Sequence, residues 1–185
     1  MAKVWCTCGE VLSNICIPND VQFWVYTSKM WNHISLNVAI EGWLFPSPVY
    51  DVWRCNTCDR LYAYNMPIDT GTEWTGSWEL KKKYVVENIK SLSATISMAK
   101  FTDVDGAEKA VCSCGKLVSS SPFPNDIQLR VYTDFEWDTM LTPDIVNPNH
   151  FPLPSHDVWR CPKCENIYVY EWDSKIPIKV YRLED

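Results

Sequence analysis

Eight cysteines fall into two sets of four: Cys6, Cys8, Cys55 and Cys58, then Cys112, Cys114, Cys161 and Cys164. Each set joins a Cys-x-Cys pair to a Cys-x-x-Cys pair across 46 intervening residues. Two close pairs supply the four corners of a thiolate tetrahedron, the coordination in which zinc is held structurally. Gly9 and Gly115 directly follow Cys8 and Cys114, where a tight turn that aims N–H groups at the sulfurs needs positive φ. A disulfide across Cys-x-Cys closes only a small, strained ring, and thiols stay reduced inside cells. The expectation is two structural zinc ions, with iron in the same cage as the chemical alternative. Four thiolates close the coordination shell, so neither ion is expected to hold a substrate.

The two sets are copies. Setting each residue n against n+106 gives 23 identities between positions 5 and 64, far above chance, including Pro-Asn-Asp (Pro18, Pro124), Val-Tyr-Thr (Val25, Val131), Trp31/Trp137 and Asp-Val-Trp-Arg-Cys (Asp51, Asp157). After the second cysteine pair the copies drift, and nine extra residues around 70–78 enter the first. The expected division is a first zinc-binding module over residues 1–88, a linker over 89–108 and a second module over 109–185. Within the linker, residues 91–98 fit either a strand or a short helix, and Asp103-Val104-Asp105-Gly106 reads as a turn.

These sulfurs must be positioned by short elements. Val21, Phe23 and Val25 alternate with Gln22, Trp24 and Tyr26, and the second copy keeps the pattern, which predicts a strand half-buried through its aliphatic face. Ser28 or Asp134 is placed to cap a short helix carrying Trp31 or Trp137. Pro46, Pro48, Pro152 and Pro154 lead as extended chain into the strand before each Cys-x-x-Cys. The predicted fold is mainly β, an α+β arrangement with one short helix per module. Trp31, Trp137, Trp53 and Trp159 are expected in the core. Cys16, opposite Pro122, is expected to be a small buried residue.

The run Trp159-Arg160-Cys161-Pro162-Lys163-Cys164, with Tyr168 beyond it, resembles the knuckle of zinc ribbons and rubredoxins. That resemblance implies two zinc-ribbon-like modules in tandem, although Cys-x-Cys-Gly replaces the usual upstream Cys-x-x-Cys.

No catalytic constellation accompanies the cysteines. His33, His150 and His156 face Thr139, Leu44 and Tyr50 in the other copy, and there is no phosphate loop or nucleophile elbow, so an enzyme is not expected. The net charge of −6 repels phosphate backbones, and no apolar run is long enough to span a bilayer. The N-terminus lacks a secretory apolar run, which reads as cytoplasmic. A basic protein partner fits the charge. Candidate contact residues are Trp24, Trp43, Trp74 and Trp78, which the second copy lacks, and the acidic Asp134, Glu136 and Asp138. For Trp residues, packing against the other module is the alternative.

In character rather than by motif, a small, acidic, aromatic-rich chain of this kind is similar to bacterial immunity proteins. The resemblance implies steric inhibition of a basic toxin domain. A nucleic-acid-associated zinc ribbon, a rubredoxin-like electron carrier and a structural subunit of a larger assembly are the rivals.

Overall fold

A computed structural model describes residues 2–48, 50–65, 68–69, 74–75, 79–87 and 98–184. The first copy supplies strands β1 (Gln22–Thr27), β2 (Tyr50–Arg54), β3 (Leu61–Asn65) and β4 (Leu80–Glu87). The second supplies β5 (Gln128–Thr133), β6 (Asp157–Arg160), β7 (Ile167–Tyr170) and β8 (Lys179–Leu183). Helices α1 (Ser28–Ile34) and α2 (Asp134–Leu141) follow β1 and β5.

Each copy forms an antiparallel sheet in chain order, and neither closes on itself. The free edges meet across the duplication, β1 against β5 and β4 against β8. The result is one closed eight-stranded barrel. This corrects the expectation of two zinc-ribbon-like modules. A four-stranded sheet leaves two rows of unpaired backbone groups, and each copy satisfies its rows on the other. In the β1–β5 ladder Val25 faces Val131, its own duplicate, so a local two-fold axis passes between them.

The strand faces also differ from expectation. Phe23 and Val25 are only half-buried and line the barrel lumen. The supposed polar face is the packed one: Tyr26 is 0% exposed and Gln22 is buried. The same holds around the barrel, where outward-pointing Trp53, Trp159, Tyr132, Tyr168 and Tyr170 are all buried. Hairpins carrying the upstream cysteines (Lys3–Trp5 with Val11–Ser13, and Glu108–Val111 with Leu117–Ser119) and the two helices cover that outer surface.

An aromatic cluster drawn from both copies packs beneath the helices. Trp24 stacks on Trp137 at 5.0 Å, Phe45 on Phe151 at 5.5 Å, and Trp31 packs on Tyr132 at 5.6 Å. Such ring pairs add about 0.5–1.5 kcal/mol each beyond area burial. The helix caps lie one residue before the expected ones: Thr27 accepts from Met30 N at 3.1 Å, and Thr133 forms a capping box with Glu136. The reason is backbone conformation, since a cap residue is extended and each threonine ends its strand with ψ near 155°.

Of the expected linker, residues 89–97 lie outside the described ones, and with them most of the undecided 91–98 segment. Phe101–Thr102 pairs with the second cysteine hairpin, and Gly106 N donates to Asp103 O at 2.9 Å in the expected turn. The end of the linker is therefore built into the second copy.

Candidate metal centres

The hairpin turn after Trp5 presents Cys6 and Cys8, and the β2–β3 connection presents Cys55 and Cys58 against it. All four sulfurs lie within 4.8 Å of one another. Cys6 and Cys8 are 3.3 Å apart, Cys6 and Cys58 3.4 Å, and Cys8 and Cys55 3.6 Å. The second set repeats this, with Cys112 and Cys164 at 3.4 Å and Cys114 and Cys161 at 3.6 Å. A metal–sulfur bond of about 2.3 Å sets tetrahedral sulfurs about 3.8 Å apart, whereas a disulfide needs about 2.05 Å. Both clusters therefore fit a thiolate-bound metal ion.

The turns are built alike. Gly9 and Gly115 take φ of +94° and +80°, while Asp59 and Glu165, just past Cys58 and Cys164, take +62° and +60°. These left-handed residues close the turns, so that Gly9 N donates to Cys6 O at 2.9 Å and Asp59 N to Cys55 O at 2.8 Å. Tyr62 donates its hydroxyl to Cys6 Sγ at 3.1 Å, and Tyr168 lies at the same 3.1 Å from Cys112 Sγ. The copies differ at one point: Arg60 reaches Cys58 Sγ at 3.7 Å, while Asn166 at the equivalent place accepts from Leu183 N.

Charge explains why the clusters want a cation. Burial pulls the Cys6 thiol up, but the Cys8 backbone and the Tyr62 hydroxyl outweigh it and hold it down to about 6. The Glu10 backbone favours the Cys8 thiolate, but the hydrogen bond Cys8 makes to the Cys6 sulfur, with burial and the other two thiols, pushes Cys8 up to about 12. Burial likewise raises Cys161 and Cys164, while hydrogen bonds from the Lys116 backbone and neighbouring thiols outweigh burial and hold Cys114 down to about 7. A bound cation would let all four sulfurs of a set ionise together in so small a volume.

A family model, Domain of unknown function (DUF8617), matches residues 2–88 and again 108–185. The chain belongs to the DUF8617 family. No curated protein and no solved structure matches it. The match identifies no zinc-ribbon or immunity family.

Behind each metal cluster of the DUF8617 chain sits a buried acid. Asp51 accepts from Gln22 Nε2 at 2.7 Å and from Trp53 Nε1. Asp157 accepts from Trp159 Nε1 at 3.0 Å and pairs with Lys100, whose ammonium also lies 4.3 Å from the centre of the Tyr170 ring. Lys100 is the structural residue that the sequence reading missed. Nothing in the first copy aligns with it, so the duplication gave no signal.

Burial raises Asp51 to about 6 from an ordinary 3.8, against the pull of its two donors. A carboxyl with a raised folded pKa contributes stability below its unfolded pKa and loses it as pH rises through the folded value. Relative to Asp51→Asn, the native chain should lose on the order of 3 kcal/mol between pH 4 and 6. Parallel urea titrations of the two proteins across that window measure it, and curves that stay parallel would refute it.

The candidate contact residues scatter. Trp24 is only partly exposed: besides stacking on Trp137 it donates to Asp134 Oδ1 at 2.8 Å. Asp134 is buried and also accepts from Asn19, and Glu136 serves the capping box. Asp138 is exposed, and Trp43 is 80% exposed. Trp74 lies on a two-residue strand paired with Ile68–Asp69. Its side chain and the whole of Trp78 fall outside the described residues. Cys16 is exposed rather than buried, because it lies in the loop beyond the first hairpin, clear of both metal clusters.

Proposed function

We propose that the chain is a non-enzymatic, zinc-stabilised protein-binding protein that acts inside the cell as an immunity protein, covering the active site of a basic bacterial toxin domain. The observation that carries this reading is the corner formed where the copies meet at Ile40–Glu41 and Ile145–Val146. There Trp43 and Ile145 stand 80% and 64% exposed beside Glu41 and Asp144. A bared tryptophan is the residue type richest in contact energy, and carboxylates around it steer a cationic partner. The closed thiolate shells support a structural rather than catalytic role for the metal.

The charge distribution favours protein over nucleic acid. Lys81, Lys82 and Lys83 form the basic run, and each is paired, with Glu79 (2.5 Å), Glu165 (2.7 Å) and Glu184 (2.5 Å).

The test is co-expression with any toxin domain encoded beside this gene. The chain should restore growth and bind the domain stoichiometrically. Trp43→Ala should weaken binding by at least about 2 kcal/mol, roughly 30-fold, without lowering the melting temperature. Failure to protect against any adjacent toxin would end the immunity reading. Metal analysis of the purified protein should give two zinc ions and no colour, and red iron–thiolate absorption would replace zinc by iron.

A further inference from the structure

The barrel is packed on its outside and hollow within. A cavity of about 1140 Å³ runs through its lumen and out along α1, where Met30, Ile34 and Leu36 also line it, and small-molecule sites commonly take roughly 300–1,000 Å³. An eight-stranded barrel is just wide enough for side chains to fill or for one small ligand. Here many of the lumen-facing side chains are short: Val25, Val52, Val131, Val158 and Ala63 all point inward. Phe23, Tyr50, Tyr84 and Tyr181 also line the cavity, but the largest buried rings, Trp53, Trp159, Tyr132, Tyr168 and Tyr170, are on the outer face and leave the space open.

The wall is aliphatic along its length and cationic at its ends. β2 and β6 run in opposite senses, because an odd number of antiparallel pairings separates them. Their terminal residues, Arg54 and its duplicate Arg160, therefore stand at opposite ends of the lumen, and both line the cavity. Lys179 and Asp59 join Arg54 at one end, and Lys82 and Glu165 join Arg160 at the other. Lys29, Asp126 and Glu136 also line the cavity, with Lys29 paired to Asp126 at 3.9 Å. Arg54 Nε is 3.8 Å from Asp59, whereas Arg160 has no carboxylate partner among the described residues and donates only to Asp126 O at 3.3 Å. The Nε atoms of both arginines are buried without a hydrogen bond. Leu36 and Ile178 also line the cavity and are exposed, so apolar side chains mark where it reaches solvent.

We propose that the barrel lumen binds an amphiphile with an aliphatic body and a single anionic head, of the long-chain carboxylate class. The hydrocarbon lies along the valine-lined wall, and the head takes the fork of Arg160, with the equivalent position at Arg54 as the alternative seat. A chain of net charge −6 places at one end of this cavity an arginine, Arg160, that has no carboxylate partner among the described residues and a buried Nε without a hydrogen bond, and a guanidinium is satisfied by a carboxylate through paired N–H donors.

The experiment is titration of the delipidated, metal-loaded protein with hexadecanoate and, separately, with hexadecanol, read by calorimetry and native mass spectrometry. Saturable binding of hexadecanoate, with hexadecanol at least tenfold weaker, is the expected result. Arg160→Ala should weaken hexadecanoate roughly tenfold to a hundredfold and leave hexadecanol unchanged, with metal content checked because Cys161 is adjacent. Adding Arg54→Ala should abolish the preference for the acid. Absence of saturable hexadecanoate binding, or equal affinity for acid and alcohol, would overturn the proposal even if every arginine variant failed to fold.

Discussion

Removing the metal from either thiolate cluster is expected to unfold the whole barrel rather than one half of it. Structural zinc in four-thiolate sites contributes about 10–16 kcal/mol, against a total stability of about 5–15 kcal/mol for an ordinary domain. Cys6, Cys55, Cys112 and Cys161 are all buried and take part in the two clusters that pack on Trp53 and Trp159. Loss of one ion frees an upstream hairpin and exposes the outer face of β2 or β6. Those strands are bonded through β1 and β5 into one ladder, so the damage should cross the duplication. Cys55→Ser and Cys161→Ser should each abolish the native near-ultraviolet signal of the tryptophans and yield a chain that binds at most one ion. A variant that melts within a few degrees of the native protein would refute this. Acid should act in the same direction, since protons compete with the metal for thiolate sulfur. Metal release, followed with a chromogenic chelator, should therefore rise as pH falls.

The second large effect is expected at Lys100. Its side chain is 4% exposed, pairs with Asp157 and lies 4.8 Å from the centre of the Trp159 ring. Lys100→Met would leave Asp157 buried with its charge unanswered, which costs about 3–5 kcal/mol. In a chain of this size that lowers the melting temperature by roughly 6–20 °C. Adding Asp157→Asn should recover much of the loss, because the cost is the orphaned charge and not the missing lysine. A single variant costing under about 1 kcal/mol in urea, or a double variant no better than the single, would sink this account. The first copy supplies a natural contrast: Asp51 has no lysine, takes Gln22 as a donor instead, and shows its unrelieved burial as a raised pKa.

Lys100 also illustrates where sequence reasoning stopped. It lies in a stretch without a duplicate, so the repeat that exposed the other buried positions was silent there. For Trp24 the sequence leaves two readings open, a contact residue or packing against the other copy, and it stacks on Trp137 of that copy. Its neighbours Gln22 and Tyr26 suggested a solvent face, yet Tyr26 is 0% exposed. Alternation shows that a strand has two faces, but it does not show which of them will be covered.

What the sequence determined by itself is local or repeated: the eight cysteines in two equivalent sets, the glycine-closed turns beside them, one short helix per copy, and the core tryptophans of the repeated block. These follow from spacing over a few residues and from a fixed offset of 106. Only the tertiary structure decided that the two copies share one barrel. The pairings that close it, Val25 with Val131 and Tyr84 with Leu183, join strand edges far apart in the chain, and the backbone groups that make them carry no residue-specific mark. The hollow lumen has the same origin. The alternation of Val21, Phe23 and Val25 with Gln22, Trp24 and Tyr26 was visible in the sequence, but closure of the sheet set Phe23 and Val25 toward the lumen.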